Sequence, residues 1–144
     1  MVDPMFTPYI RFNGNCEEAF LWYAQVFNGK VQHLSRYSDS SPNSDIFSTD
    51  KLNGKVMHAR LTITDFNGLT GGDYLEPIEK NGNISIQAHL PEEAFARKVF
   101  SELSSKGTII AEIVENPPPD DRSISGCVQD KYGVTWIVSA MKTV

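Results

Sequence analysis

Glu17-Glu18-Ala19-Phe20 comes back as Glu92-Glu93-Ala94-Phe95, and each copy stands just after a strand-like run, ending at Phe12 in the first case and Leu90 in the second. A second echo follows in the same order. Ile63-Thr64-Asp65-Phe66-Asn67-Gly68-Leu69-Thr70-Gly71 is matched by Val128-Gln129-Asp130-Lys131-Tyr132-Gly133-Val134-Thr135-Trp136, with Asp, Gly and Thr in common and apolar residues opposite one another. Two imperfect matches in the same order, each flanking a similar strand, indicate a duplicated unit of about half the chain. Such a chain fuses two equivalent sheets, which places the expected site in a cleft where the sheets face each other.

Working outward from the first echo, Pro8 to Phe12 alternates as a strand and Asn13-Gly14-Asn15 ends it. From Cys16 to Phe27 the apolar residues Ala19, Phe20, Tyr23, Val26 and Phe27 recur at helical spacing, with Glu17 and Glu18 favouring the first turn. Asn28-Gly29 is a helix stop. Val31 to Tyr37 reads as a second strand, Ser38 to Gly54 as a polar loop or flap, Val56 to Thr64 as a third strand, and Asp65 to Gly68 as a turn into a fourth strand ending near Leu75. The second unit repeats this order: strand Ile84 to Leu90, helix Glu92 to Leu103, strand Thr108 to Val114, loop Asn116 to Arg122, and the hairpin Ile124 to Gln129 with Val134 to Ala140. Glu76 to Gly82 links the halves. The expected architecture is α+β, a single domain of two tandem βαβββ modules at about 6–76 and 83–140, forming a curved mixed sheet with a cleft.

The 144 residues carry 13 basic and 18 acidic side chains, a formal net charge of −5, with no basic run, which excludes a nucleic-acid backbone as the partner. Cys16 and Cys127 have no CxxC spacing, so they are read as free thiols in a reducing cytoplasm. No stretch approaches about 18 uninterrupted apolar residues, and Met1 to Phe6 lacks the basic and apolar regions of a leader. The expectation is a cytoplasmic protein with no membrane partner.

Alternation puts an aliphatic face of each sheet on its own helix and leaves the other face polar. That face collects Thr7, Tyr9, Arg11, His58, Arg60, Thr62, Thr70, Gly72 and Tyr74 from the first unit, and Ser85, Gln87, His89, Ser123, Ser125, Cys127, Thr135, Ile137 and Ser139 from the second. A solvated face is ordinary for antiparallel sheets; the alternative is a polar ligand cleft. Tyr9, Arg11, Arg60, Tyr74, Gln87 and His89 are the candidate ligand contacts, and His58 is the candidate catalytic residue. His33 has less claim. Asp73 points by parity toward the helix. Trp22 and Trp136 are core or dimer-interface aromatics. No serine stands in a Gly-x-Ser-x-Gly elbow, and no strand is followed by a Rossmann-type glycine-rich turn.

The βαβββ-βαβββ order, with Phe-Asn-Gly-Asn-Cys-Glu-Glu-Ala-Phe from Phe12 and Asp-Lys-Tyr-Gly-Val-Thr-Trp from Asp130, resembles the vicinal oxygen chelate superfamily and within it the PhnB-like, 3-demethylubiquinone methyltransferase-like branch. The resemblance implies the glyoxalase and bleomycin-resistance fold, shared with dioxygenases and fosfomycin-modifying enzymes. It also implies a divalent metal held by the first and last strands of each unit. Carried onto this chain, those ligand positions fall at Thr7, Gly72, Ser85 and Ile137, which lack imidazole, thiolate and carboxylate. No metal ligands and no cofactor are therefore expected, a divalent metal returning only if that register is wrong. The favoured function is metal-independent binding of a small molecule by a homodimer. The alternatives are a metal-dependent or His-assisted lyase, isomerase or transferase, and a structural homodimer with a vestigial cleft. A methyltransferase would need a nucleotide-sized cofactor site for which the chain shows no motif.

Overall fold

The computed structural model describes residues 5–37, 52–78 and 83–143. The chain divides into two compact units, Met1–Glu79 and Lys80–Val144. The flap expected at Ser38 to Gly54 and the link at Glu76 to Gly82 lie largely outside the described residues.

The first unit runs β1 (Tyr9–Phe12), α1 (Cys16–Phe27), β2 (Lys30–Arg36), β3 (Val56–Thr64) and β4 (Asn67–Asp73). Its sheet has the order β1-β4-β3-β2, with β1 parallel to β4 and the other pairs antiparallel. Cys16, Ala19, Phe20, Tyr23, Val26 and Phe27 form the buried stripe of α1, as the helical spacing requires, and Phe12 meets Phe20 edge-on at 5.9 Å. Asn28 stops the helix in the left-handed conformation at φ 56°.

The second unit runs β5 (Ile86–Leu90), α2 (Glu93–Ser104), β6 (Thr108–Glu115), β7 (Ser123–Gln129) and β8 (Thr135–Met141), in the sheet order β5-β8-β7-β6. The same parallel pairing joins β5 to β8. Ala96, Val99, Phe100 and Leu103 of α2 pack on it. Gly126 is required there: a Cβ would lie 2.8 Å from both the Ile113 Cα and the Phe100 ring. Asp130 holds the β7-β8 hairpin, accepting the Tyr132 and Val134 N–H groups on Oδ1 and the Trp136 indole N–H on Oδ2 at 2.8 Å. Trp136 is thereby a core residue, 1% exposed.

Each module is α+β with one four-stranded mixed sheet. Three strands are shorter than alternation alone suggests: β1 begins at Tyr9, β5 at Ile86, and β4 ends at Asp73. Beyond Asp73 the Asn13 amide donates to the Tyr74 and Glu76 carbonyls, both at 3.1 Å, and draws the chain out of the ladder. The expected aliphatic side of β3 is also altered. Val56 is buried beside Ala59 and Leu61 while Met57 is half-buried, because an irregularity at Ser35/Arg36 in the β2-β3 pairing breaks the alternation. The loop Asn116 to Arg122 is closed by Asp120 N–H to Pro117 O and Ser123 N–H to Asp120 O, both at 3.0 Å. No helix among the described residues is long and apolar enough to cross a membrane.

Candidate functional site

In the first unit, strand pairing arranges the sheet face opposite α1 in rows. Tyr9 pairs with Thr70, Thr70 with Arg60 and Arg60 with His33, so these four side chains share a face across all four strands. In the adjoining row Arg11 pairs with Gly72, and Ser35 pairs with His58. His33, given little weight by alternation, belongs here because a bulge between Val31 and His33 shifts β2 by one residue. Its ring centroid lies 5.8 Å from that of His58, and His58 lies 6.3 Å from Tyr9.

At the β1 edge of this face stands a pair of phenols. Tyr9 Oη and Tyr74 Oη are 3.0 Å apart, their rings meeting edge-on at 6.4 Å, and the Arg11 guanidinium lies 5.2 Å from the Tyr74 ring centroid. Burial, then the Tyr74 hydrogen bond, raises the Tyr9 pKa above its ordinary value, so the phenol remains a neutral donor at physiological pH. Tyr37, which the sequence did not single out, donates to the Asp73 carbonyl at 2.7 Å, and its phenol is also raised, mainly by burial. Tyr74 also borders an open depression of about 440 Å³ lined with Asn13, Lys55 and Leu75.

Gly72 explains how the phenols fit. A Cβ at this position would lie 2.7 Å from the Met57 carbonyl oxygen and 3.0 Å from Tyr9 Oη. The position at which the resemblance implies a metal-binding carboxylate is therefore closed to any side chain, and the Tyr9 hydroxyl occupies the adjacent space. Asp73, one residue on, faces the helix as its parity implies. It is 1% exposed, and its carboxylate accepts the N–H groups of Gly14 at 3.1 Å and of Cys16 and Val56 at 2.9 Å. This carboxylate is committed to the backbone. Cys16 beside it is fully buried, and burial reinforced by Asp73 pushes its thiol up to about 12, which rules out a thiolate nucleophile.

In the second unit the equivalent rows are Gln87, Ile137, Cys127 and Ala111, then His89, Ser139, Ser125 and Val114. Phe12 and Leu90 end their respective first strands. Counted from those ends, Arg11 stands with His89 and Gly72 with Ser139, whereas counted from the turn glycines Gly68 and Gly133 it is Ile137 that stands with Gly72. Ser139 is buried. Its Oγ accepts from the Gln87 amide at 3.2 Å and lies 2.9 Å from His89 Nδ1. The sequence named all three residues but gave no sign that they converge, since the contact depends on the parallel β5-β8 register. Neither the Ile137 alkyl group nor the Ser139 hydroxyl is a metal ligand of the usual kind. No group of three His, Cys, Asp or Glu side chains placed to share an ion occurs among the described residues.

A family model described as 3-demethylubiquinone-9 3-methyltransferase matches residues 4–139. The structure of protein PA1353 from Pseudomonas aeruginosa is 28% identical, with a TM-score of 0.81 over 98% of this chain and 100% of that one. A Bacillus cereus PhnB protein, titled a 3-demethylubiquinone-9 3-methyltransferase, is 23% identical, with a TM-score of 0.73 over 97% and 100%. The fosfomycin resistance protein FosX of Listeria monocytogenes, in complex with Mn(II) and sulfate, shares the fold at 8% identity and a TM-score of 0.56 over 100% and 95%. No curated protein matches the chain.

Proposed function

The chain belongs to the 3-demethylubiquinone-9 3-methyltransferase-like, PhnB-like family of the vicinal oxygen chelate superfamily, and from that membership we propose that it is a metal-independent small-molecule binding protein. The observation that carries the proposal is Gly72. The superfamily includes metal enzymes, but here the carboxylate position is sterically closed by the Met57 carbonyl and the phenol pair stands beside it. Hydroxyls and glycine do not displace water from Zn²⁺, Fe²⁺ or Mn²⁺ favourably. Tyr9, Arg11, Arg60 and Tyr74 supply the ligand contacts of the first unit, and Gln87 and His89 those of the second.

Methyl transfer is not supported by the residues. The β1-α1 connection, Asn13-Gly14-Asn15, is no glycine-rich nucleotide loop, and its N–H groups at Gly14 and Cys16 are already taken by Asp73. A second reading is favoured by one feature, the placement of His58 beside a phenol that keeps its proton. Under that reading His58 is the general acid or base of a metal-free proton transfer, with Arg60 stabilising the anion formed.

The partner proposed for the protein is a second copy of itself. β1 and β2 are the outer strands of the first sheet and β5 and β6 those of the second, and β6 carries Ile110 and Val114 more than half exposed, an aggregation hazard that pairing removes. One sample purified without chelator tests both statements. The expected result is light scattering at twice the 16.1 kDa chain mass and elemental analysis showing substoichiometric metal. A monomer would refute the pairing. One ion per chain, lost together with any activity in His58→Ala, would refute the metal-free reading.

A further inference from the structure

Five of the ten glycines follow an asparagine, and Asn-Gly is the dipeptide at which a chain most readily reacts with itself. The glycine nitrogen can add to the asparagine side-chain carbonyl carbon once its N–H is free to lose a proton, and the missing Cβ lets the two approach. A pair is shielded where that N–H is already hydrogen-bonded or where the side-chain amide is held away. The pairs at Asn13, Asn28, Asn53 and Asn67 fall on described residues, and the fifth, Asn81-Gly82, lies outside them.

Three of these pairs are shielded. Gly14 N–H donates to Asp73 Oδ1 at 3.1 Å, while the Asn13 amide is held by the Tyr74 and Glu76 carbonyls. Gly29 N–H donates to the Ala24 carbonyl at 2.9 Å, at the end of α1. The Asn67 amide donates to Thr64 Oγ1 at 2.7 Å, and Gly68 is paired with Thr62 in the sheet, so tightly that a Cβ there would run into the Leu61 carbonyl oxygen. Asn53-Gly54 differs on each count. Both residues are exposed, and nothing stands within 4 Å of the place a Gly54 Cβ would take. Neither the Gly54 N–H nor the Asn53 amide has a hydrogen-bond partner among the described residues. The pair forms the tip of a turn closed by Lys55 N–H to Leu52 O at 2.8 Å, with Gly54 at φ 79°.

We propose that Asn53 is a self-modifying site, which loses its amide through a cyclic imide to become isoaspartate or aspartate, with water as the only co-reactant. The Gly54 nitrogen bonds to Asn53 Cγ, and the side-chain amide leaves as ammonia, carrying off the Gly54 proton. Water then opens the ring at one of its two carbonyls. Opening at one restores the ordinary backbone as aspartate; opening at the other leaves the backbone running through the side chain, a methylene longer, as isoaspartate. Either product adds a negative charge to a chain that is already acidic. Isoaspartate also displaces the Gly54 carbonyl, which accepts from Arg36 at 3.0 Å beside the Arg36 to Glu17 ion pair, and Lys55, which borders the depression next to Tyr74.

The test is peptide mapping of the full chain by mass spectrometry during incubation in mildly alkaline buffer, once folded and once in urea. In the folded chain the mass gain of an amide turned acid is expected at Asn53 roughly tenfold faster than at Asn13, Asn28 or Asn67, about the worth of a hydrogen bond that must first open. It should appear as two isomeric products separable by chromatography, and faster as pH rises, because the Gly54 nitrogen must lose its proton. In urea the four pairs convert at similar rates, since the fold no longer shields three of them. Asn53→Gln, whose longer side chain closes a ring far more slowly, abolishes the product at this position and leaves the other three pairs as they were. Equal rates at the four pairs in the folded chain, or conversion at Asn13, Asn28 or Asn67 ahead of Asn53, overturns the proposal. So does an Asn53 that stays an amide in the folded chain after the urea sample has converted.

Discussion

Asp73→Ala is expected to cost the protein about 3–5 kcal/mol of stability, because three backbone donors lose their acceptor at once and an unsatisfied buried donor costs about 1–3 kcal/mol. The donors belong to three different segments: Gly14 in the β1-α1 connection, Cys16 at the start of α1, and Val56 at the start of β3. One carboxylate therefore fixes the helix against the sheet, and water can replace it only at Gly14, which is part-buried. Asp73→Asn is expected to lose roughly half as much, since an amide oxygen can still accept from Gly14 and Cys16 while its NH₂ opposes the Val56 N–H. Urea denaturation of the two variants checks this. A loss below about 1 kcal/mol for the alanine variant, the size of an ordinary surface change, would show that the knot is not structural.

Gly72→Asp is the second large effect. The new Cβ meets the Met57 carbonyl, a backbone atom that cannot swing aside, and the Tyr9 hydroxyl, so β3 and β4 must part or the phenol pair must open. Overpacking of this kind costs about 1–3 kcal/mol, and the rigid obstacle puts the variant at the upper end. The substitution installs a carboxylate at the position where the family resemblance implies a metal ligand. It is nonetheless expected to melt at lower temperature and to gain no stoichiometric Mn²⁺ or Zn²⁺. A variant that keeps its melting temperature and takes up one ion per chain would mean that the metal position is open after all.

The fold was legible because duplication writes the same signals twice. Glu-Glu-Ala-Phe after an apolar strand marks both helices, and an Asp-to-Gly turn marks both hairpins, so each half corroborates the other. Element ends were less legible, since they depend on distant partners such as the Asn13 amide acting on residues 74 and 76. The polar face could be listed by alternation, and Tyr9, Arg11, His58 and Arg60 do share one side of a sheet. Alternation failed where the β2-β3 pairing bulges, which hid His33 and misplaced Val56. It also could not fix the offset between the units, because the β1-α1 and β5-α2 connections differ in length. Counting from the turn glycines sets Ile137 against Gly72, while counting from the ends of the first strands sets Ser139 there. The Tyr9 to Tyr74 contact spans 65 residues and follows from the space above a glycine, which no local pattern encodes.

The central claim, that the first unit's sheet face holds no resident metal, is tested most directly by elemental analysis of the full chain purified without chelator and then dialysed against Mn²⁺ or Zn²⁺. Less than one ion per chain is expected before and after the dialysis. One ion per chain, lost in His58→Ala, would contradict the claim and assign the site to a metal.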